Sequence, residues 1–140
     1  MSNRRDLILD EYDISRYAYR ELYNFCMQYP EKKQKLRDLR GLSLNRMSGM
    51  PKGGATSNPT ENRGMLAARY SDDCEMIEQC ALKAGGIIYP WLLDGVTEGA
   101  SYEYMNRMEY FRGVIPVGKS TYYVIRRRFF WLLATRKGVA

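Results

Sequence analysis

Apolar residues recur at three- and four-residue spacing along successive stretches of this chain, a rhythm that an α-helix gathers onto one face. Ile14, Tyr17, Ala18, Leu22, Phe25, Cys26 and Tyr29 form the first such stripe. It predicts a helix capped near Asp13 and running to about residue 28. Pro30 closes that helix or opens the next, predicted from Glu31 to about Arg40, with Leu36 and Leu39 inward and Gly41 as its stop. A further stripe (Met65, Leu66, Tyr70, Cys74, Ile77, Ala81, Ala84) ends at Gly85-Gly86. It follows a strong helix start at Asn58-Pro59-Thr60-Glu61: Asn as cap, Pro at the first helical position, Glu reaching back. Ile87 to Val96 reads as a short helix with Pro90 in its first turn and Trp91, Leu92 and Leu93 inward. The expected fold class is all-α.

With 140 residues, 45% of them hydrophobic and 27% charged, the chain suits one domain with a core of its own. Within it, residues 1–98 read as an N-terminal helical region and 99–140 as a C-terminal helix-turn-helix. Residues 41–57 carry Gly49, Pro51, Gly53 and Gly54 and are expected to form a long glycine-rich loop. That loop lacks the G-x-x-x-x-G-K-[ST] pattern with which a backbone cradles phosphates, which argues against nucleotide binding. No run approaches the ~18 apolar residues of a membrane span. The apolar run after the N-terminus, Leu7-Ile8-Leu9, is too short for a secretory signal. A cytoplasmic protein without membrane partners is the expectation.

The reactive-residue inventory is sparse. There is no histidine, which removes imidazole catalysis and imidazole metal ligands. Cys26, Cys74 and Cys80 are an odd number without a C-x-x-C pair, so they read as small buried apolar residues of a reducing compartment. Asp72, Asp73, Glu75 and Glu78 resemble an acidic cluster but read as a solvated helix surface. Lys32, Lys33, Lys35, Arg37 and Arg40 likewise read as a solvated face, with contact to phosphates as the alternative. No enzymatic activity, cofactor or metal is expected.

Charge is unevenly placed. From Arg112 onward the chain has seven basic residues and no acid, so this tail is +7 whereas the whole chain is +6. Such segregation points to a polyanionic partner. Ser101 is expected to cap a short helix from Tyr102 to about Met108. A turn at 111–116 holds Gly113 and Pro116, and Gly118 caps a last helix from Lys119 to about Arg136. Short helix, turn and longer basic helix is the order of a helix-turn-helix that binds double-stranded DNA.

At 100° per residue, Tyr122, Ile125, Phe129, Leu132 and Leu133 share the expected core side of the last helix, opposite Ser120, Tyr123 and Arg127. Lys119, Ser120, Tyr123 and Arg127, with Thr121 beside them, are thus the candidate base readers. Arg126, Arg128 and Arg112 are the candidates for phosphates. For Tyr123 the competing structural reading is packing on Tyr19 or Tyr23. For Phe130 and Trp131 it is packing on the N-terminal helices or a homodimer contact.

The segment Ile115-Pro116-Val117-Gly118-Lys119-Ser120-Thr121-Tyr122-Tyr123, followed by Arg126-Arg127-Arg128-Phe129-Phe130-Trp131-Leu132-Leu133, resembles the C-terminal signature of RinA/ArpU-like phage regulators. These look like the DNA-binding region 4 of sigma factors. Met50-Pro51-Lys52-Gly53-Gly54, Ser57-Asn58-Pro59-Thr60, Ala18-Tyr19-Arg20-Glu21-Leu22 and Tyr29-Pro30 are similar to the same family, with less specificity. Gly118 departs from the polar cap common there, though glycine also caps a helix. The resemblance implies a phage or prophage activator of late genes that binds DNA near promoters, with host RNA polymerase as a further partner. A small-terminase-like DNA-packaging subunit and a protein-interaction module acting on a host nucleoprotein are the alternatives.

Overall fold

The computed structural model describes residues 12–47, 59–107 and 109–139, with only the backbone path given at 42–47 and 59–60. These residues form helices and no strand: α1 (Arg16–Met27), α2 (Tyr29–Met47), α3 (Pro59–Gly85), a 3₁₀ turn (Gly86–Ile88), α4 (Tyr89–Glu98), α5 (Tyr102–Met105) and α6 (Lys119–Lys137). The all-α expectation holds. No helix among the described residues is long and apolar enough to cross a membrane.

Local chemistry sets most boundaries. Ser15, in extended conformation, caps α1 by accepting from the Ala18 N–H at 3.0 Å. Asp13 was the expected cap, but its φ of 58° is left-handed, whereas a cap residue takes an extended backbone. Pro30 opens α2 rather than closing α1. Gly41, the expected stop, lies inside α2, which continues to Met47. A lone glycine costs a helix only about 1 kcal/mol, too little to end one that is otherwise supported. Part of the expected 41–57 loop is therefore helical. The remainder, residues 48–57, and the Asn58 cap lie outside the described residues. Pro59 is the first residue of α3, Pro90 sits in the first turn of α4, and Gly99 (φ 71°) ends α4 in left-handed conformation, its N–H donating to Gly95 at 3.1 Å.

The long helix α3 is the centre of the fold, flanked by α2 on one side and α6 on another. Ion pairs fasten α2 to α3: Lys32 to Asp73 at 2.9 Å and Lys33 to Glu78 at 3.0 Å, with the Tyr29 hydroxyl also donating to Glu78. Asp72 and Glu75 are exposed as expected, but Asp73 and Glu78 face α2 and are half-buried. Lys32 is buried, its ammonium 4.3 Å from the Phe25 ring centroid, so neither a solvated nor a phosphate-binding role fits it. One apolar cluster joins Leu22 and Cys26 of α1, Ile77 and Ala81 of α3, Leu92 and Val96 of α4, and Phe129 and Leu133 of α6. All three cysteines are buried within the fold, as the sequence predicts.

Candidate nucleic-acid interface

Helix α6 begins at Gly118, whose extended backbone (φ −74°, ψ 168°) turns the chain into the helix without a side-chain cap. It ends at Gly138, left-handed at φ 73°, whose N–H donates to Thr135 at 3.2 Å. Its buried residues are Tyr122, Tyr123, Arg126, Phe129, Phe130, Leu133 and Ala134. Placed at 100° per residue, their midpoint is rotated by roughly a quarter turn from the face expected from sequence. Ile125 and Leu132 are only half-buried, while Tyr123 and Arg126 turn inward.

Two expected DNA contacts are thereby corrected. Tyr123 is 3% exposed, packs edge-to-face on Tyr122 with centroids 5.0 Å apart, and its hydroxyl accepts from the Tyr102 N–H at 3.4 Å. Packing therefore decides its position, with Tyr122 and Tyr102 among its partners. Arg126 is 4% exposed, with its guanidinium carbon 5.6 Å from the centre of the Phe130 ring. It fits there because α4 carries Gly95 at the crossing: a β-carbon at Gly95 would overlap the Tyr122 hydroxyl and lie 3.2 Å from an Arg126 guanidinium nitrogen. Phe130 packs edge-to-face on Tyr19 at 5.1 Å, and Trp131 lies 5.8 Å from Tyr12. Both rings thus meet residues of the N-terminal region.

The outward stripe of α6 consists of Ser120, Thr121, Val124, Arg128, Trp131 and Thr135, all exposed. Ser120, Thr121 and Arg128 were expected on the surface and are there. Val124, 51% exposed, was missed, although it stands four residues from both Ser120 and Arg128. Lys119 pairs with Glu103, tying the start of α6 to α5. Arg127 is half-buried at the edge of the stripe. Arg136 donates to Gln79 at 3.1 Å, and the Lys137 ammonium lies 4.0 Å from the Phe25 centroid, on a ring that Lys32 also approaches.

The last expected contact, Arg112, is committed elsewhere. Its guanidinium donates to the buried Asp94 carboxylate at 2.6 and 3.3 Å, and the Tyr110 hydroxyl donates to the same group at 2.6 Å. The Asp94 bond holds Arg112 above its ordinary pKa, and burial together with that carboxylate pushes the Tyr110 phenol up. Ser101 caps α5 as expected, accepting from the Tyr104 N–H at 3.1 Å. However, α5 stops at Met105, so residues 106–118 separate it from α6, where a helix-turn-helix uses a turn of about three or four residues. Side chains close to this connection fix it: Asn106 Oδ1 accepts from the Ile115 N–H at 3.1 Å, Tyr102 donates to the Val117 carbonyl at 2.8 Å, and Trp91 Nε1 donates to the Gly113 carbonyl at 3.0 Å.

Comparison with family models, curated proteins and solved structures finds no match to this chain. Among the described residues no group of side chains is arranged to hold a metal ion. The arrangement offers a helix with a buried apolar side and a polar, basic outer side, and next to its start a pinned connection rich in aromatic residues.

Proposed function

We propose that this protein is a sequence-specific double-stranded-DNA-binding regulator of phage or prophage transcription, with α6 as its recognition helix. The observation that carries the reading is the outward stripe Ser120, Thr121, Val124 and Arg128, which begins at the helix N-terminus and is clear of the core. A recognition helix presents its first turns to base edges in the major groove. In this reading Ser120 and Thr121 hydrogen-bond to bases, Val124 meets a thymine methyl group, and Arg128, two turns on, meets a phosphate. Lys119 and Arg127 stand at the edges of the stripe and serve as secondary contacts. Tyr123 and Arg126 have no part in it. The connection 106–118 takes the place of a tight turn, and the kinship with region 4 of sigma factors rests on the sequence resemblance alone. That resemblance also supports activation of late genes and contact with host RNA polymerase.

Selection from a randomised duplex library, followed by gel shifts, tests the proposal. Specific duplexes are expected to bind about a thousandfold or more tighter than random ones at physiological salt. Ser120→Ala or Thr121→Ala relaxes the preference by about 1–3 kcal/mol per lost base contact, and Arg128→Ala weakens all sequences alike. Equal affinity for every duplex would eliminate the regulator reading.

A further inference from the structure

In the connection between α5 and α6, one buried carboxylate fixes both neighbours of an exposed aromatic ring. Tyr110 and Arg112 each donate to Asp94 at 2.6 Å, and Phe111 between them is 76% exposed. Gly113, at a φ of 81°, turns the chain beyond them, and the Trp91 indole holds that turn through the Gly113 carbonyl. Phe111 continues a row of rings: it lies 4.8 Å from Tyr110, which meets Tyr104 edge-to-face at 5.9 Å. Tyr104 is itself 54% exposed. Taking about 200–250 Å² for a whole aromatic side chain, these two leave roughly 300 Å² in water. A contiguous apolar patch of that size is the usual mark of an interaction site. The clamp on Asp94 also holds the rings in place beforehand, so that little ordering is left for a partner to impose.

The charges around the rings disfavour a polyanion and suit a second copy of the chain. Arg112 lies over Phe111 at 4.6 Å, but Asp94 neutralises it. Arg107 lies over Tyr104 at 5.4 Å, at the other end of the row. Glu109 precedes Tyr110, and Glu98 is near enough to act on the Tyr110 phenol electrostatically. Arg107, Glu98 and Glu109 are all exposed and form no ion pair among the described residues. The rim thus carries an unpaired cation at the Tyr104 end and unpaired acids beside Tyr110. Such a patch is complementary to itself. A half-turn brings the cation of one copy to the acids of the other while the rings meet between them, and every contact is made twice.

We infer that this protein forms a two-fold homodimer through Tyr104 and Phe111, with Arg107 of each copy paired to Glu98 and Glu109 of the other. With roughly 60% of a homodimer interface apolar, two such patches bury on the order of 1,000 Å² in total. That area is at the lower bound of a specific interface, which sets the expected dissociation constant in the micromolar range. None of these residues belongs to the outward stripe of α6, so the inference stands independently of the DNA-binding reading.

Sedimentation equilibrium of the full chain at about 1–100 µM brackets such a constant and is expected to show monomer converting to dimer. Phe111→Ala removes a ring from both copies and weakens association about a hundredfold. Because Phe111 lies in solvent, this substitution leaves the thermal melt unchanged, which separates loss of the interface from loss of the fold. Arg128→Ala, on α6, leaves the dimer intact. Chains with Arg107→Glu stay monomeric through repulsion of acids, as do chains with Glu98→Arg and Glu109→Arg through repulsion of bases. Mixed together, the two associate, since each opposes its charges to those of the other. A monomer at every concentration, a dimer that survives Phe111→Ala, or charge variants that do not associate on mixing would overturn the proposal. Weaker binding of a short mixed-sequence duplex by a monomeric Phe111→Ala chain would overturn it too, and would give the surface to nucleic acid.

Discussion

Arg126 keeps a positive charge in a place where only 4% of its surface meets water, against the Phe130 ring and beneath Gly95. A charge so placed is held by packing and polar contacts together, so its removal has a structural cost. Arg126→Ala is expected to lower stability by about 2–4 kcal/mol in urea unfolding, and Arg126→Met, which keeps the aliphatic volume, by less than half of that. An exposed arginine would change stability by no more than about 0.5 kcal/mol. Gly95→Ala forces apart α4 and the Tyr122 hydroxyl and is expected to cost about 1–3 kcal/mol. Burial pushes the Cys26 thiol well above the ordinary value of 9.0. Such a thiol stays protonated in the fold while the unfolded chain ionises. Its contribution is thus full below about pH 9 and declines as pH rises beyond it, by about 1.4 kcal/mol per pH unit at most. Urea titrations between pH 7 and 10 would reveal the decline, which Cys26→Ala makes shallower; burial raises the Cys74 and Cys80 thiols too, so part of it stays. Single residues were the least legible level of the sequence. Ile125 and Leu132 are as apolar as the core, and helical spacing alone did not reveal that Tyr123 and Phe130 outweigh them once α1 and α5 supply partners.

Helix signals were far more readable, because caps act locally. Pro59, Pro90, Ser101 and Gly118 each stand where the sequence places them, since proline, serine and glycine set backbone angles or cap groups without distant partners. Gly41 was misleading for the converse reason: its effect on a helix is small, and nothing local obliges α2 to end there. The break after Met105 was not legible either, because it depends on Asp94, Trp91 and Asn106 bonding across the connection. Asp94→Asn weakens this clamp and is expected to cost about 2 kcal/mol, the scale of a charge-assisted hydrogen bond. Limited trypsin digestion should then cut faster after Arg107 and Arg112 than in the parent protein. Unchanged cleavage would mean that Asp94 does not hold the segment.

For the molecule as a whole, the segregation of charge overstated the free positive surface. The tail has seven bases, but Arg112, Lys119 and Arg136 are bonded to other side chains, Arg126 is buried, and Lys137 leans on Phe25. If all seven met phosphates, the logarithm of affinity would fall with the logarithm of salt at a slope of about 6. A clearly smaller slope is expected, measured by titrating DNA binding against salt, and Arg128→Ala should reduce it by about one more.

The chain has two tryptophans in different settings: Trp91 is bonded to Gly113 in the connection before α6, and Trp131 stands on the outward stripe of α6. Replacing either one leaves a single tryptophan, which can be excited apart from the tyrosines. The emission of Trp91 would then follow movement of the connection, and quenching of Trp131 would follow occupancy of the helix, so the two events can be timed separately without an added dye.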